Sequence, residues 1–256
     1  MIDIHSHFLF DVDDGAKSIE ETLRILNHAE KEGIKEIIAT PHAFGSRYHV
    51  TREIVMKKIG DLTKLLQEEN VQITVHFGQE IRLHEKIIQN LKTGEAMTLA
   101  NSRYVLLELP SDSVPAYTTR IIQLIIADGK VPIIAHPERN RGIAENPERL
   151  EKLVRHGATA QVTGGSLSGH FGKDVQKLAL RLIEANLIHT YGSDVHNLET
   201  RPLLFNEGLK YLKKKGHHEM IEVLLENNKR ILTDTPFIIL EPAIPSGKKW
   251  WGLVRM

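Results

Sequence analysis

The chain has 256 residues, with 33 Lys+Arg against 33 Asp+Glu, and its 41% hydrophobic and 26% charged content is that of an ordinary soluble domain. A formal net charge of zero leaves no global field to draw it to nucleic acid or to an anionic membrane. The lack of cysteine excludes disulfides, zinc–thiolate sites and thiol nucleophiles, and it fits a reducing, cytoplasmic setting.

The N-terminus shows no basic segment followed by an apolar core, so no secretory signal is expected. The longest apolar run, 121–127, is far short of the ~18 residues of a membrane span. Met1-Ile2-Asp3-Ile4-His5-Ser6-His7 alternates apolar and polar residues. That predicts a short strand ending near His5, with both imidazoles on one side at its C-terminal tip. Ser18 and Glu21 form a capping-box pair for a helix with Ile19, Leu23 and Leu26 on one face and Gly33 as terminator. A buried strand over 34–40 runs directly into Pro41-His42. A helix over 51–69 precedes a strand over 71–77, which ends in Gly78-Gln79-Glu80. A helix and loop over 85–98 lead to a strand over 104–107, closed by Glu108-Leu109-Pro110. The helix over 118–128 stops at Gly129, and the strand over 131–135 runs into His136-Pro137-Glu138-Arg139. Asn146 and Pro147 open a helix that Gly157 closes. The strand over 159–162 runs into the loop Thr163-Gly164-Gly165-Ser166. A helix over 175–185 precedes the strand over 188–191 and Gly192-Ser193-Asp194-Val195-His196. Helices over 202–215 and 218–227 complete the unit.

Seven strand–helix units in strict alternation imply parallel strands, because parallel neighbours need crossover helices. Five of the seven strands carry His, Asp or Glu within a residue or two of their C-terminal ends. An open sheet meets ligands at one switch point, whereas a barrel converges every strand tip on one mouth. The predicted fold is therefore α/β: a distorted (β/α)7 TIM-like barrel of parallel strands with its site at the C-terminal rim. It fills residues 1–240 as one domain. The tail over 241–256, with Pro242, Pro245 and Lys248-Lys249-Trp250-Trp251, reads as an arm over the barrel, a frayed end or a contact surface for a partner.

Gathered from the tips, the candidates are His5, His7, His42, Glu80, Glu108, His136, Asp194 and His196, with Asp11, Asp13 and Asp14 from the first loop. Each alone has an ordinary explanation, as a helix cap or a solvated side chain. Together they are forced into one mouth, and several carboxylates cannot share that space without cations between them. Oxygen and nitrogen ligands without sulfur suit Mn, Fe, Zn or Mg, in a polynuclear site. Arg139 and Arg201 stand three and five residues past proposed ligands, and guanidinium forks match phosphate oxygens. Two such cations beside a metal cluster favour a phosphoester substrate.

His5-x-His7, Thr40-Pro41-His42, Gly78-Gln79-Glu80, Glu108-Leu109-Pro110, Ala135-His136-Pro137-Glu138-Arg139 and Gly192-Ser193-Asp194-x-His196 resemble the PHP (polymerase and histidinol phosphatase) superfamily. Within it they resemble the bacterial manganese-dependent tyrosine phosphatases of capsule and exopolysaccharide loci. The motif set is highly specific and spans about residues 1–240. The resemblance implies a PHP-type barrel with three divalent ions, manganese by family habit. One ion would be held by His5, His7, Glu80 and Asp194. A second would share Glu80 and add Glu108 and His136. The third would take Asp14, His42 and His196, although many members carry a histidine where Asp14 stands and Asp13 is adjacent. It also implies hydrolysis of phosphotyrosine by metal-activated water without a covalent phosphoenzyme. Arg139 and Arg201 would hold the phosphoryl oxygens, with His42 or Asp194 as candidate general acid. The implied substrate is the tyrosine-rich tail of a bacterial tyrosine kinase, and self-association as a homo-oligomer is compatible with the sequence. The rival readings are a small-molecule phosphatase of the histidinol-phosphate type and a non-catalytic, metal-bound regulator of a kinase.

Overall fold

The computed structural model describes residues 1–69 and 71–243. The elements run β1 (Ile2–Ser6), α1 (Ile19–Lys31), β2 (Glu36–Ala39), β3 (His42–Ala43), α2 (Arg52–Glu68), β4 (Thr74–Phe77), β5 (Glu80–Arg82), α3 (Ile87–Thr93) and β6 (Tyr104–Glu108). They continue through α4 (Thr118–Ala127), β7 (Val131–Ala135), α5 (Arg141–Glu145), α6 (Glu148–Arg155), β8 (Thr159–Thr163), α7 (Gly164–Ser168), α8 (Lys173–Glu184), β9 (Thr190–Gly192), α9 (Phe205–Lys214) and α10 (His218–Leu232). Every ladder between them is parallel, as the alternation of strands and helices requires.

The ladders form two sheets, β1-β2-β4 and β3-β5-β6-β7-β8-β9. The break between them is a kink shared by two neighbouring strands. Ala39 lies opposite Phe77 below it and His42 opposite Glu80 above it, so the register is unchanged across it. Pro41 has no N–H to give to a ladder. At the same level the Gln79 side chain donates to Val50 O and accepts from Met97 N, which holds the second strand out of line. The strands expected over 34–40 and 71–77 are therefore two bent strands, each in two short pieces, with a chemically interesting residue opening each upper piece.

The ring returns on itself at β1 and β9 without a full ladder. A single bridge joins Ser6 to Val195, flanked by Asp194 N–H donating to His5 O and His7 N–H to Val195 O, both at 2.8 Å. Below this, side chains do the stitching. Asp3 accepts from the backbone N–H and the hydroxyl of Ser193. Asn228 of α10 accepts from Tyr191 N–H and donates to both Tyr191 O and Ile2 O, at 3.1, 2.7 and 2.9 Å.

The middle strands are apolar on both faces, as strands covered on both sides must be. Tyr104, Leu106, Ile133 and Ala135 pack with Ile4, Ile38 and Ile231, while Val105, Leu107 and Ile134 join the larger core beneath the helices. Three further local features have local causes, and the first departs from expectation. The segment Gly164–Ser168 is a short helix capped by the Thr163 side chain, where the glycine pair suggested a loop. The helix and loop expected over 85–98 are present, with α3 ending at the left-handed Gly94 and a 3-10 turn following at Leu99–Asn101. The chain is still tied to the barrel beyond residue 240, since Asn186 donates to Glu241 O and Ala243 N–H to Ala185 O. Trp250 and Trp251, with the rest of the tail from 244, lie outside the described residues.

Asn228→Ala leaves the buried Tyr191 N–H and Ile2 O without partners at the place where the ring closes. Urea denaturation is expected to show a loss of about 2–4 kcal/mol. An unchanged midpoint would mean that the seam does not depend on this amide.

Candidate metal centre

Each strand tip delivers its residue by a local device. His5 and His7 come from the end of β1, two residues apart, and their Nε2 atoms lie 3.3 Å from each other. Gly15 is required beside them, because a Cβ there would collide with the His7 carbonyl, and one on Gly192 would lie 2.9 Å from His5 Cβ. His42 and Glu80 open the upper halves of the kinked strands, and Glu108 ends β6. His136 and Asp194 adopt left-handed backbone, φ 33° and 56°, as the chain leaves β7 and β9. Such φ values cost non-glycine residues about 1–3 kcal/mol and collect where surroundings over-determine them.

Glu80 lies at the centre. Its Oε2 is 3.4 Å from His5 Nε2, 3.3 Å from His7 Nε2 and 3.1 Å from His42 Nδ1, while its Oε1 is 2.8 Å from His136 Nε2. Asp194 Oδ1 stands 3.2 Å from His5 Nε2 and 3.5 Å from His7 Nε2. Asp14 Oδ1 faces His42 Nε2 at 3.2 Å and His196 Nε2 at 3.4 Å. Behind the rings, Asp13 Oδ2 sits 2.8 Å from His7 Nδ1 and also accepts from His42 N–H. Gln161 Oε1 sits 3.0 Å from His5 Nδ1, and the Asp194 carbonyl 3.0 Å from His196 Nδ1. Acceptors on Nδ1 place the proton there and turn the Nε2 lone pairs of these three rings into the cluster.

Charge follows from this crowding. Burial disfavours charge on His5, but the carboxylates of Glu80 and Asp194 outweigh it and lift the imidazole to about 9. Burial opposes charge on His42 as well, and there Glu80 and Asp14 prevail, to about 11. On His136 and His196 burial wins, helped by the charges of Arg139 and His7 respectively, and both fall to about 4. Burial would raise Asp194, yet Arg139 and Arg201 hold it well below the usual carboxylate range.

The donor set fits divalent cations. Glu80 Oε2, Asp194 Oδ1, Asp14 Oδ1 and His196 Nε2 are buried and make no hydrogen bond among the described residues, although each lies within 3.6 Å of an opposing ligand atom. Their lone pairs point at common spaces and not at each other's protons, the arrangement that cations between them satisfy. Three groups have ligand atoms mutually within 4.8 Å: His5, His7, Glu80 and Asp194; His42, Glu80 and Glu108; and His7, Asp14, His42 and His196.

All nine expected ligands therefore meet in one cradle, with two differences in grouping. His42 stands in the middle group, where His136 was expected, and His136 meets the other oxygen of Glu80 from the side. His7 joins the group of Asp14 and His196. Asp11 is not among these groups. Arg139 and Arg201 both reach Asp194 Oδ2, the latter at 2.8 Å, and Arg201 also lies 3.5 Å from Asp14. With Asp14, His42, Glu108 and His136 they line a cavity of about 300 Å³ over the cluster. Sequence reasoning did not single out Gln161, which orients His5, or Phe171, whose ring lies 4.8 Å beneath the Arg139 guanidinium. A lone Gln inside a strand and a Phe in a loop carry no signal of such duties.

Parallel strands bent into a ring, with imidazoles and carboxylates collected at their tips and two guanidiniums above, define an α/β barrel with a candidate metal centre at its rim. Residues 1–233 match the model for capsular polysaccharide synthesis, CpsB/CapC, and the chain belongs to that family. It is 39% identical over 252 residues to the tyrosine-protein phosphatase YwqE of Bacillus subtilis (strain 168), covering 98% of this chain and 99% of that one. It is 30% identical over 240 residues to the tyrosine-protein phosphatase CpsB of Streptococcus pneumoniae, covering 91% of this chain and 99% of that one. A solved structure from work on YwqE from Bacillus subtilis and CpsB from Streptococcus pneumoniae, unique metal-dependent tyrosine phosphatases, matches with a TM-score of 0.92 at 39% identity, covering 96% of this chain and 100% of that one.

Asp13→Asn removes the charge behind His7 while keeping its shape. Titration of chelator-treated protein with Mn²⁺ is expected to show about ten- to hundredfold weaker binding than in the unaltered protein. Equal affinity would exclude Asp13 from orienting the cluster.

Proposed function

We propose that this chain is a metal-dependent protein-tyrosine phosphatase using three divalent ions, with manganese the first candidate. The observation that carries the reading is the pair of guanidiniums, Arg139 and Arg201, resting on one oxygen of Asp194 directly above a cradle of His and carboxylate ligands. The full-length kinship with tyrosine phosphatases supports the same reading.

His5, His7, Asp14, His42, Glu80, Glu108, Asp194 and His196, with His136 alongside, would hold the divalent ions, which when bound would supply Lewis acidity and water acidified toward neutral pH. The rest falls to the chain's own groups. A phosphoryl group entering the cavity offers both guanidiniums an acceptor with more charge than Asp194, and planar forks bind such oxygens two at a time. They thereby orient the phosphorus over the cluster and offset charge as it builds on the equatorial oxygens. Phe171 beneath Arg139 keeps its guanidinium from swinging away when the contact with Asp194 is exchanged. Asp194 is held ionised, so its part is to bind and anchor, not to donate a proton. His42 has carboxylates on both ring nitrogens, which suits a ligand better than a free acid. A tyrosyl leaving group, with a pKa of about 10, depends less on protonation than an alkoxide does. With no cysteine in the chain, the phosphoryl group passes to water without a thiol intermediate.

The substrate we assign is phosphotyrosine in a protein, with the tyrosine-rich tail of a bacterial tyrosine kinase as partner. The cavity over the cluster, about 300 Å³ and lined by both guanidiniums, supports the reading as the place where the phosphorylated side chain enters.

Arg139→Ala is expected to lower kcat/KM on a phosphotyrosyl peptide about 10²–10³-fold while metal content by elemental analysis stays unchanged. Unchanged turnover would remove Arg139 from the mechanism. Faster turnover of histidinol phosphate than of the peptide by the unaltered protein would overturn the protein-phosphatase reading.

A further inference from the structure

A second cavity, of about 160 Å³, lies against the first and shares His42 and Glu108 with it. Its remaining polar lining includes Arg47, Tyr48 and Arg82. We propose that this cavity is a subsite for an anionic side chain, a carboxylate or a second phosphoryl group, flanking the phosphotyrosine in the substrate chain, and that Arg47 is its specificity-determining residue. The proposal rests on the phosphatase reading above and names the substrate class more narrowly.

Charge selects the ligand. The lining holds one carboxylate, Glu108, and Arg82 Nη1 already sits 3.0 Å from its Oε2. Arg47 is exposed and has no carboxylate partner among the described residues. Its guanidinium lies 5.3 Å from the centroid of the Tyr48 ring. A cation–π contact at that distance occupies none of the guanidinium's N–H donors, which are left to bind an anion bidentately.

The loop that carries these residues is built in place. Gly45 N–H donates to Tyr48 O at 3.0 Å, Phe44 N–H to His49 Nδ1 at 3.0 Å and Val50 N–H to His42 O at 2.9 Å. Phe44 stacks on His84 at 4.7 Å, and Tyr48 lies parallel to His42 at 6.1 Å and 13°. Arg47 is thus presented from a loop fixed at both ends, beside Tyr48, whose ring faces the His42 ring that lines both cavities. An extended substrate advances about 3.3 Å per residue, so a side chain one or two positions from the phosphotyrosine reaches from one cavity into the other.

The test uses the full-length, metal-loaded protein and phosphotyrosyl peptides carrying Glu, Ala, Lys or a second phosphotyrosine at the two positions on either side. p-Nitrophenyl phosphate serves as a substrate with no flanking groups. The expected result is higher kcat/KM on the anionic peptides, chiefly through KM. Arg47→Ala should reduce that preference about fivefold and Arg47→Glu should turn it toward the Lys peptides, with p-nitrophenyl phosphate turnover unchanged in both. Preference for the second phosphotyrosine over Glu assigns the subsite to phosphoryl groups, and the reverse assigns it to carboxylates. Equal kcat/KM on the Glu, Ala and Lys peptides, or a preference that survives Arg47→Glu, overturns the subsite while leaving the phosphatase reading intact. Failure of the unaltered protein to hydrolyse any phosphotyrosyl peptide overturns that reading itself, and the subsite with it.

Discussion

A carboxylate at 1% exposure, touched by four imidazoles, sets the terms for this molecule. Glu80 cannot be ionised at that depth without compensation, because desolvating one carboxylate costs several kcal/mol. Protonated histidines supply part of that compensation in the metal-free chain, which is why His5 and His42 titrate far above an ordinary imidazole. Cations supply it more completely, because they also satisfy Asp14 Oδ1, Asp194 Oδ1 and His196 Nε2, which have no hydrogen-bond partner among the described residues. The cradle is therefore the least self-sufficient part of the fold and the part most changed by what it binds.

The scaffold meets this demand by rigidity elsewhere. The two kinked strands raise His42 and Glu80 above the apolar layer while holding the register below them. The ring is weakest where β1 meets β9, and that is also where His5, His7, Asp194 and His196 arise. Asp3, Ser193 and Asn228 fasten the seam with side-chain hydrogen bonds where ladder bonds are few. Left-handed backbone at His136 and Asp194 is tolerated because both residues are held at backbone and side chain: His136 by Arg139 N–H on its carbonyl and Glu80 on its ring, and Asp194 by His5 O on its N–H and two guanidiniums on its side chain.

Much of this was legible in the sequence, for reasons that differ by residue. His5 and His7 announce themselves by a period of two on an apolar strand, and His136 and Asp194 by directly following buried strands. The parallel order followed from alternation alone. What escaped notice lacked length or contrast. Two- and three-residue strands such as His42–Ala43 and Glu80–Arg82 carry no periodicity. Asp13 and Asp14 are the same residue type side by side, and only coordinates show one behind His7 and the other facing His42. Asn227 and Asn228 stand at and just past the end of the helix expected over 218–227 and carry no contrast in the sequence, yet both are fully buried because strand ends, not water, take their hydrogen bonds. The second cavity escaped because Arg47 belongs to a loop whose folding depends on ring stacking between residues as far apart as Phe44 and His84.

Asp194 joins the two halves of the site. One of its oxygens faces His5 and His7, and the other takes Arg139 and Arg201. Whatever draws Oδ1 toward a cation weakens the hold of Oδ2 on the guanidiniums, and whatever draws the guanidiniums onto a phosphoryl group frees charge on Asp194 for a cation. On the proposed reading the two binding events favour one another through a single carboxylate, and thermodynamic linkage makes that help mutual. An arginine pair that rested on a carboxylate with no second duty would bind phosphate at the cost of stranding that carboxylate in the interior. Here Asp194 Oδ1 also faces His5 and His7, so a cation held among them would take up the charge that the arginines release.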